Sequence, residues 1–442
     1  MIYVYIYIYI CVCIYMYACR TLIIAAFTAF TTLFLLAQTY VGNLSNHYIL
    51  CSLYLACTGA AGAASYLCAL DSQAQNFKEY RGMSMGFTSA SLGISGLVFS
   101  QLNDRFFKSN HKEDNTTFNF LIFVGSCTFI VNIFGSFILD SLKQEEKRRV
   151  EQQQPQEDND LTYYTQSIRS FSTSSTRFVE DDMNEERPLL SKNVILSVDT
   201  ISSIDIKNIR YQHEEETEIS GIAFFMDPVG FSLASALLVI LGLGYVYFAN
   251  LGQLLTSVSP KDISFSEAQH LRNTHVSIFS IANCLSRALF GALSDLFKKK
   301  VGIHRIWFFW TASIGLMISM IFLISSVSNS NELILCTVMT AIVYGITFGV
   351  APATITEFGT KTFARNWGWL LCAPAIGSQL FSVLFGTVYE KESKRQGELE
   401  SCYGSACYKS TFMIGILSAL VCNMIMAVAI YKKGLYKRGS TL

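Results

Sequence analysis

One charged side chain lies inside a long apolar stretch. Arg287 stands near the middle of the span 273–296, and Asn283 precedes it by four residues, which puts both on one face of a helix. A charge at the centre of a membrane costs on the order of 3 kcal/mol even on lenient insertion scales, so Arg287 must face a bundle interior or a wet cavity. There its charge can be stabilised by a hydrogen bond to a helix carbonyl group or by an ion pair with Asp295.

A second candidate site lies in the segment LGLGYVYFANLGQL, where glycines and an asparagine interrupt an apolar span. Interrupted helices near the midplane of transporters often offer backbone groups to a solute, which makes Asn250 and Gln253 candidate cavity residues. The alternative is that Gly242, Gly244 and Gly252 only allow close helix packing.

The distribution of charge indicates a membrane protein. The chain has 442 residues, of which 51% are hydrophobic and 15% charged, whereas a soluble domain carries about 25% charged residues. The charges are absent from runs of roughly 20 residues, which is the length that crosses a ~30 Å hydrocarbon core. The formal net charge is zero, and nothing in the sequence points to nucleic acid.

The apolar runs predict an all-α polytopic membrane protein with about ten transmembrane helices in two groups. Four spans precede a polar middle region and six follow it. The predicted spans are roughly 21–40, 48–70, 83–101, 118–139, 228–256, 273–296, 305–327, 331–355, 366–388 and 410–431. The predicted organisation is an incomplete N-terminal bundle at 20–140, a disordered cytosolic linker at 141–226, and a C-terminal six-helix bundle with a cytosolic tail at 227–442.

Basic clusters orient the spans. Lys and Arg collect at 143–149, 298–300 and 432–438, which predicts that these regions, and the C-terminus, are cytosolic. The two N-x-S/T sequons, at Asn43 and Asn115, then fall on the far side, where glycosylation occurs.

A pair of cysteines falls in a loop on the same far side. Cys402 and Cys407 are close enough in sequence for a disulfide in an oxidising compartment, with two free thiols as the alternative.

One motif carries a family resemblance. In SRALFGALSDLFKKKVGIHR, Gly291, Asp295 and Lys299 are similar to the Gly-x-x-x-Asp-x-x-x-basic signature of the major facilitator superfamily. The Gly lets two helices approach, and the Asp caps a facing helix or pairs with the basic turn, which locks one conformation. The resemblance implies a two-bundle fold and transport of a small solute across the lipid bilayer by alternating access.

Further segments resemble the fungal monocarboxylate-transporter-homologue branch of that superfamily, with nodulin-like motifs. They include NFKEYRGMSMGFTSASLGISG, YGITFGVAPATITEFG and APAIGSQLFSVLFG. The glycines at 82, 86, 93 and 96 in the first of these favour helix packing. The resemblance implies that Arg287 contacts an anionic solute, for example an organic anion. Asn283 stands where that family has an Asp, which argues against carboxylate–proton symport.

The front of the chain departs from the family. Residues 1–19 contain mainly Ile, Tyr, Val, Cys and Met, and this segment can be encoded by one alternating dinucleotide repeat. With four spans where the family has six, and no first-half copy of the signature, we interpret this segment as artefactual. We expect the chain to be N-terminally truncated and, as written, unstable or inactive.

Two carboxylates raise the question of proton coupling. Asp71 and Glu357 fall at the predicted cytosolic ends of their spans, where we expect them to stay hydrated. Glu357 also has Lys361 four residues on, a favourable pair if the helix continues.

No metal cluster, nucleophile elbow or phosphate loop is recognisable in the sequence, so we expect neither an enzyme nor a cofactor. A rival interpretation is a membrane sensor or scaffold that transports nothing, which would show no saturable flux in proteoliposomes.

The middle region carries a sorting pattern. EERPLL has Glu185 four residues before Leu189 and then Leu190, the acidic dileucine form that a sorting adaptor reads. The resemblance to the fungal branch implies a vacuolar transporter. Together with the sorting pattern it favours the vacuolar membrane, with the plasma membrane as the alternative.

Replacing Leu189 and Leu190 by Ala should divert the protein to the cell surface, because the adaptor would lose its apolar contact. Fluorescence microscopy of a tagged full chain measures this, with Ile195 and Leu196 changed to Ala as the matched control. Unaltered vacuolar delivery would remove the sorting role.

Overall fold

Ten helices within the described residues are long and apolar enough to cross a membrane, which confirms the predicted fold class. The computed structural model describes residues 18–77, 79–107, 116–138, 219–261, 263, 265–397 and 401–436. Its helices belong to one compact unit formed by residues 1–136 and 218–442. Of the other unit, 137–217, only Phe137 and Ile138 are described.

Four of these helices precede the middle region, in agreement with the predicted spans. They are α1 (Ala18–Val41), α2 (Tyr48–Asn76), α3 (Arg81–Phe106) and α4 (Thr116–Ile138). The predicted second span ends at residue 70, before α2 ends at Asn76. The last residues of the helix, SQAQN, are polar and do not resemble a membrane span.

The second group has a short helix, α5 (Ile222–Met226), and six long ones. The long helices are α6 (Pro228–Ala236, continued by Leu237–Leu241, Gly242–Ala249 and Leu251–Val258), α7 (Phe265–Leu296, continued by a π-helical turn Phe297–Val301), α8 (Ile306–Ser325), α9 (Ser330–Ile355, then a 3-10 turn Thr356–Phe358), α10 (Phe363–Leu370 and Cys372–Arg395) and α11 (Ala406–Lys432).

The residues just before α6 correct the predicted linker, which extends to residue 226. Phe224 in α5 is fully buried and packs edge-on against Phe358, while the Ile219 amide donates to the Phe358 carbonyl oxygen. The apolar sequence IAFFM is therefore part of the second bundle, because its aromatic rings have a core to enter.

Helix α6 begins as its sequence predicts and then departs from regular α-helix. The Asp227 carboxylate accepts from the Val229 amide at 2.9 Å, with Pro228 at the first helical position. A π-helical turn at Leu237–Leu241 follows, next to a close helix crossing: a Cβ on Gly242 would lie 3.0 Å from the Gly377 Cα. Close packing thus accounts for Gly242.

Helix α7 is held between helices of both groups. On one side a Cβ on Gly86 of α3 would lie 2.8 Å from the Arg287 carbonyl oxygen and 2.9 Å from the Gly291 Cα. On the other side a Cβ on Gly349 of α9 would lie 2.9 Å from the Arg287 Cα. Both crossings use glycine pairs at four-residue spacing, which allow backbones to touch where side chains would separate them.

The alternating helix directions define two ends. We name the basic end after Lys298, Lys299, Lys300 and Arg305, where α7 ends and α8 begins. The disulfide end is the opposite one, where Cys402 and Cys407 connect α10 to α11. The turn between α1 and α2, with Asn43, also lies at the disulfide end, because α2 runs from there to the basic end.

Gly86→Ala should lower the free energy of unfolding by about 1–3 kcal/mol, since the added methyl group cannot fit against α7. Gly96→Ala on the same helix is the control, because nothing lies within 4 Å of a Cβ there. Unfolding of the purified protein in detergent measures both. Equal stability of the two variants would contradict the close crossing.

Candidate functional site

Asp295, near the end of α7, caps a helix of the other group. Its two carboxylate oxygens accept from the amides of Gly82 (2.9 Å) and Met83 (2.8 Å) in the first turn of α3. The N-cap residue of α3, Tyr80, supplies no side-chain cap of its own. A carboxylate at a helix N-terminus is stabilised by the free amides and by the helix dipole, so Asp295 joins the two groups of helices at the basic end.

The same carboxylate belongs to a buried charge cluster. The Arg305 guanidinium donates to Asp295 at 2.5 Å and to Glu357. Lys298 Nζ donates to Glu357 at 2.7 Å, and His304 Nε2 lies 2.9 Å from its other oxygen. His304 Nδ1 accepts from the Ile306 amide, which leaves the proton on Nε2, facing the carboxylate.

The expectation that Glu357 stays hydrated is therefore wrong. Its side chain is only 8% exposed, and three basic side chains surround it. The pair with Lys361 is absent from the described ion pairs because the chain turns at Gly359, whose φ of 122° ends the helix. The sequence could not show that Arg305 and His304, some 50 residues earlier, would reach this position.

The three signature residues meet the same segment of chain. Gly291 lies against Gly82 and Gly86, Asp295 caps α3 one turn further on, and Lys299 donates to Glu79 at 2.9 Å. Their four-residue spacing explains this, since it places them on one stripe of α7.

Arg287 lies two turns from Asp295 in the centre of the molecule and is 3% exposed. Its Nε donates to Asn283 Oδ1 at 2.9 Å, and its Nη1 donates to the Ser89 carbonyl oxygen of α3 at 3.0 Å. The pairing is thus with a helix carbonyl group and not with Asp295, because Asp295 lies eight residues, or about 12 Å, further along α7.

Aromatic rings complete the surroundings of this cation. The guanidinium carbon lies 4.5 Å from the centroid of the Phe348 ring and 5.9 Å from that of Tyr344, both on α9. Such contacts stabilise a cation without neutralising it. Sequence reasoning missed Ser89, Tyr344 and Phe348, although Tyr344 and Phe348 flank the glycines of α9 at helical spacing.

Asn250 and Gln253 do not join Arg287. Asn250 marks a break in α6, where its Nδ2 donates to the Val246 carbonyl oxygen of its own helix, and Gln253 is exposed. Gly252 beside them faces Arg272 of α7, which is 15 residues, or roughly 22 Å, from Arg287 along that helix.

The remaining candidates lie apart from this centre. Cys402 and Cys407 form a disulfide with a Cα–Cα distance of 5.9 Å, and both are fully buried. Asn43 is exposed at the same end of the molecule. Asn115, Glu185, Leu189, Leu190 and the first 17 residues lie outside the described residues. Within the described part of the chain, no group of three His, Cys, Asp or Glu side chains could hold a metal ion.

Relatives of this chain are fungal membrane proteins. A family model described as "NFD4, C-terminal domain" matches residues 217–435. The "Probable transporter mch1" of Neurospora crassa is 26% identical over 86% of this chain and 70% of its own length. The "Probable transporter MCH1" of Gibberella zeae is 25% identical over 80% of this chain and 65% of its own length. The chain therefore spans about two thirds of these curated relatives.

A solved structure has the same fold. The transporter FucP of the major facilitator superfamily, crystallised in its outward conformation, superposes with a TM-score of 0.52 at 10% identity, over 96% of this chain and 86% of FucP. The resemblance to the fungal branch and the major facilitator fold are thereby confirmed. The names of the relatives and the fold together support the predicted transmembrane transporter.

Asp295→Ala should destabilise the protein by about 3–5 kcal/mol, because it strips a buried cluster of one partner and uncaps α3. Lys299→Gln is the control: it breaks the pair with Glu79, which is exposed to solvent and therefore contributes little to stability. Unfolding of both purified variants measures the difference. Similar losses for the two would show that the buried cluster does not hold the helix groups together.

Proposed function

We propose that this chain, a relative of the fungal probable transporters named MCH1 with a major facilitator fold, moves a small anionic solute by alternating access. The observation that carries the proposal is the capping of α3 by Asp295. This contact joins the two helix groups in one arrangement and can be released in another. Once the groups separate, water can hydrate both the amides of α3 and the carboxylate of Asp295.

The cluster at the basic end would act as the gate. Release of Asp295 from α3 leaves its carboxylate paired with Arg305, which Glu357 also holds. The second group would therefore keep its charges satisfied while the first group moves away. This retained pairing lowers the cost of opening, since neither carboxylate is left buried alone.

Arg287 would provide the solute contact. It is central, buried and within hydrogen-bonding distance of α3, so a solute bound to it would meet both helix groups. Asn283, its partner, cannot carry a proton. The solute would therefore cross as an anion, without a coupled proton bound to Asn283.

The sequence supports an orientation for the gate. The basic end would face the cytosol and the disulfide end the lumen of the vacuole, because basic residues remain on the cytosolic side and disulfides form in oxidising compartments. Glycosylation at Asn43, and delivery by an adaptor that binds the middle region, belong to the same proposal.

Locking the gate should arrest transport. With Glu79 and Lys299 replaced by Cys, a short bis-maleimide should join α7 to the start of α3 and prevent opening. Glu390 and Lys394, which pair at 2.6 Å on one helix, give the control: their cross-link spans no moving contact.

The readout is uptake by vacuoles that overproduce each variant, for the solute found by comparing metabolite uptake with and without the protein. We expect cross-linked Glu79→Cys/Lys299→Cys vacuoles to lose saturable uptake, and the control to retain it. Equal uptake by both would refute the gate. No saturable uptake of any metabolite by the unmodified protein would refute transport by the chain as written.

A further inference from the structure

A cavity opens at the basic end, where the last turn of α7, the start of α8 and the residues after α11 meet. Its volume is about 410 Å³, which is within the range of pockets that hold small ligands. Apolar and aromatic side chains form most of its wall: Phe297, Ile303, Trp307, Phe308, Leu435 and Tyr436. The cavity belongs to the second helix group alone, and no residue of the proposed gate lines it.

Two helix ends shape this cavity. At the end of α7 the chain turns through Gly302, whose φ of 70° is left-handed, and the Ile303 amide then donates to the Phe297 carbonyl oxygen at 3.4 Å. At the end of α11 the chain turns in the same way through Gly434, with a φ of 67°. This second turn carries Leu435 into the protein, where it is 2% exposed.

The cavity lies at the level where these helices leave the membrane. The apolar spans of α7 and α11 end at Val301 and Lys432, and that of α8 begins at Ile306. Thr311 in the cavity wall lies five residues, or roughly 8 Å, inside the span of α8. The cavity therefore extends from the membrane surface into the hydrocarbon region, which is where the first part of a lipid acyl chain lies.

Polar groups in the wall are already satisfied within the protein. Trp307 Nε1 donates to the Leu435 carbonyl oxygen at 3.3 Å, and the Thr311 hydroxyl donates to the Phe308 carbonyl oxygen at 3.0 Å. The rings of Phe297 and Phe308 pack edge to face, with 5.8 Å between their centroids. The wall is therefore mainly apolar, and the part of a ligand that enters it must be apolar as well, because buried polar groups need partners.

Two exposed lysines flank the residues that line the cavity. Lys300 is in the last turn of α7, and Lys432 is the last residue of α11, three residues before Leu435. Neither forms an ion pair within the described part of the chain, whereas the neighbouring lysines at 298, 299 and 433 each pair with a carboxylate. Uncompensated positive charges at the surface of a membrane attract anionic headgroups.

We propose that the cavity holds one acyl chain of an anionic phospholipid, and that Lys300 and Lys432 contact its phosphate group. The apolar wall accepts the chain, and its depth suits a molecule that is anchored at the membrane surface. The lysines are complementary in charge to the headgroup, and a neutral lipid would leave them without a counter-charge. The occupant is thus a lipid of the leaflet at the basic end. Its binding is separate from the proposed transport and is measured without it.

The test uses the purified full chain in detergent and phospholipids with brominated acyl chains. Bromine quenches tryptophan fluorescence on contact, and Trp307 lines the cavity. Brominated phosphatidylserine and brominated phosphatidylcholine are each titrated at a constant total amount of phospholipid, with unbrominated phosphatidylcholine as the remainder. Phosphatidylserine should quench in a saturable manner at low mole fraction, and phosphatidylcholine only in proportion to its amount. Trp307→Phe should lose the saturable part of the quenching.

Filling the cavity should displace the chain. Thr311→Phe should weaken the binding of phosphatidylserine about tenfold or more, because each methylene group that loses its apolar contact costs roughly fourfold in affinity. Thr387→Phe is the matched control. Thr387 is also exposed on a membrane helix, α10, and its hydroxyl donates to a carbonyl oxygen of its own helix at 2.8 Å. This control should bind like the unmodified protein.

Removing the two charges tests the headgroup contact. Lys300→Gln/Lys432→Gln should weaken the binding of phosphatidylserine about tenfold or more, at roughly fivefold for each lysine, and leave phosphatidylcholine unaffected. Lys361→Gln/Lys391→Gln removes the same charge from two other exposed lysines and should have no effect.

The site is refuted if phosphatidylserine does not quench the unmodified protein in a saturable manner, or if Thr311→Phe binds it within twofold of the unmodified protein. Equal saturable binding of both phospholipids would refute the selection of an anionic headgroup. Saturable quenching by a brominated sterol, with none by phosphatidylserine, would also overturn the proposal, since the cavity would then hold a sterol. The comparison of lipids on the unmodified protein needs no variant, so the proposal stays testable even where a variant does not fold.

Discussion

A carboxylate buried between helices must find partners, and the partners of Asp295 determine how the two helix groups of this protein meet. Two are backbone amides at the start of α3, and the third is Arg305, which is shared with Glu357. The amides are 213 and 212 residues away in sequence, so the contact forms only when both groups are in place. The close crossing of α3 and α7 is its precondition, because without it Asp295 would not reach them.

The same crossing brings the central cation to its site. Arg287 lies eight residues before Asp295, about 12 Å along α7, and it too reaches α3, at the Ser89 carbonyl oxygen. A single helix therefore presents a carboxylate to the first group at one end and a cation to it at the centre. A shift of α7 against α3 would disturb both contacts together, which would couple the proposed gate to the proposed solute contact during alternating access.

The two contacts differ in how they are neutralised. Asp295 and Glu357, the carboxylates of the proposed gate, have basic partners within the second group, so their charges would remain compensated if the groups separated. Arg287, in contrast, has only uncharged partners among the described residues. This contrast supports the proposed gate, whose charges the protein itself compensates, and the proposed contact of Arg287 with an anionic solute.

The sequence by itself determined the number and approximate positions of the helices, because long uncharged runs have few structural solutions in a membrane. It also determined that Arg287 faces inward, and that Gly291, Asp295 and Lys299 share one stripe of α7, since both follow from helical geometry. The tertiary structure decided the partners. Ser89 and Phe348 became neighbours of Arg287, and Arg305 joined Asp295 to Glu357. Asn250 and Gln253 were placed elsewhere. Each contact depends on which helices cross and at which residue.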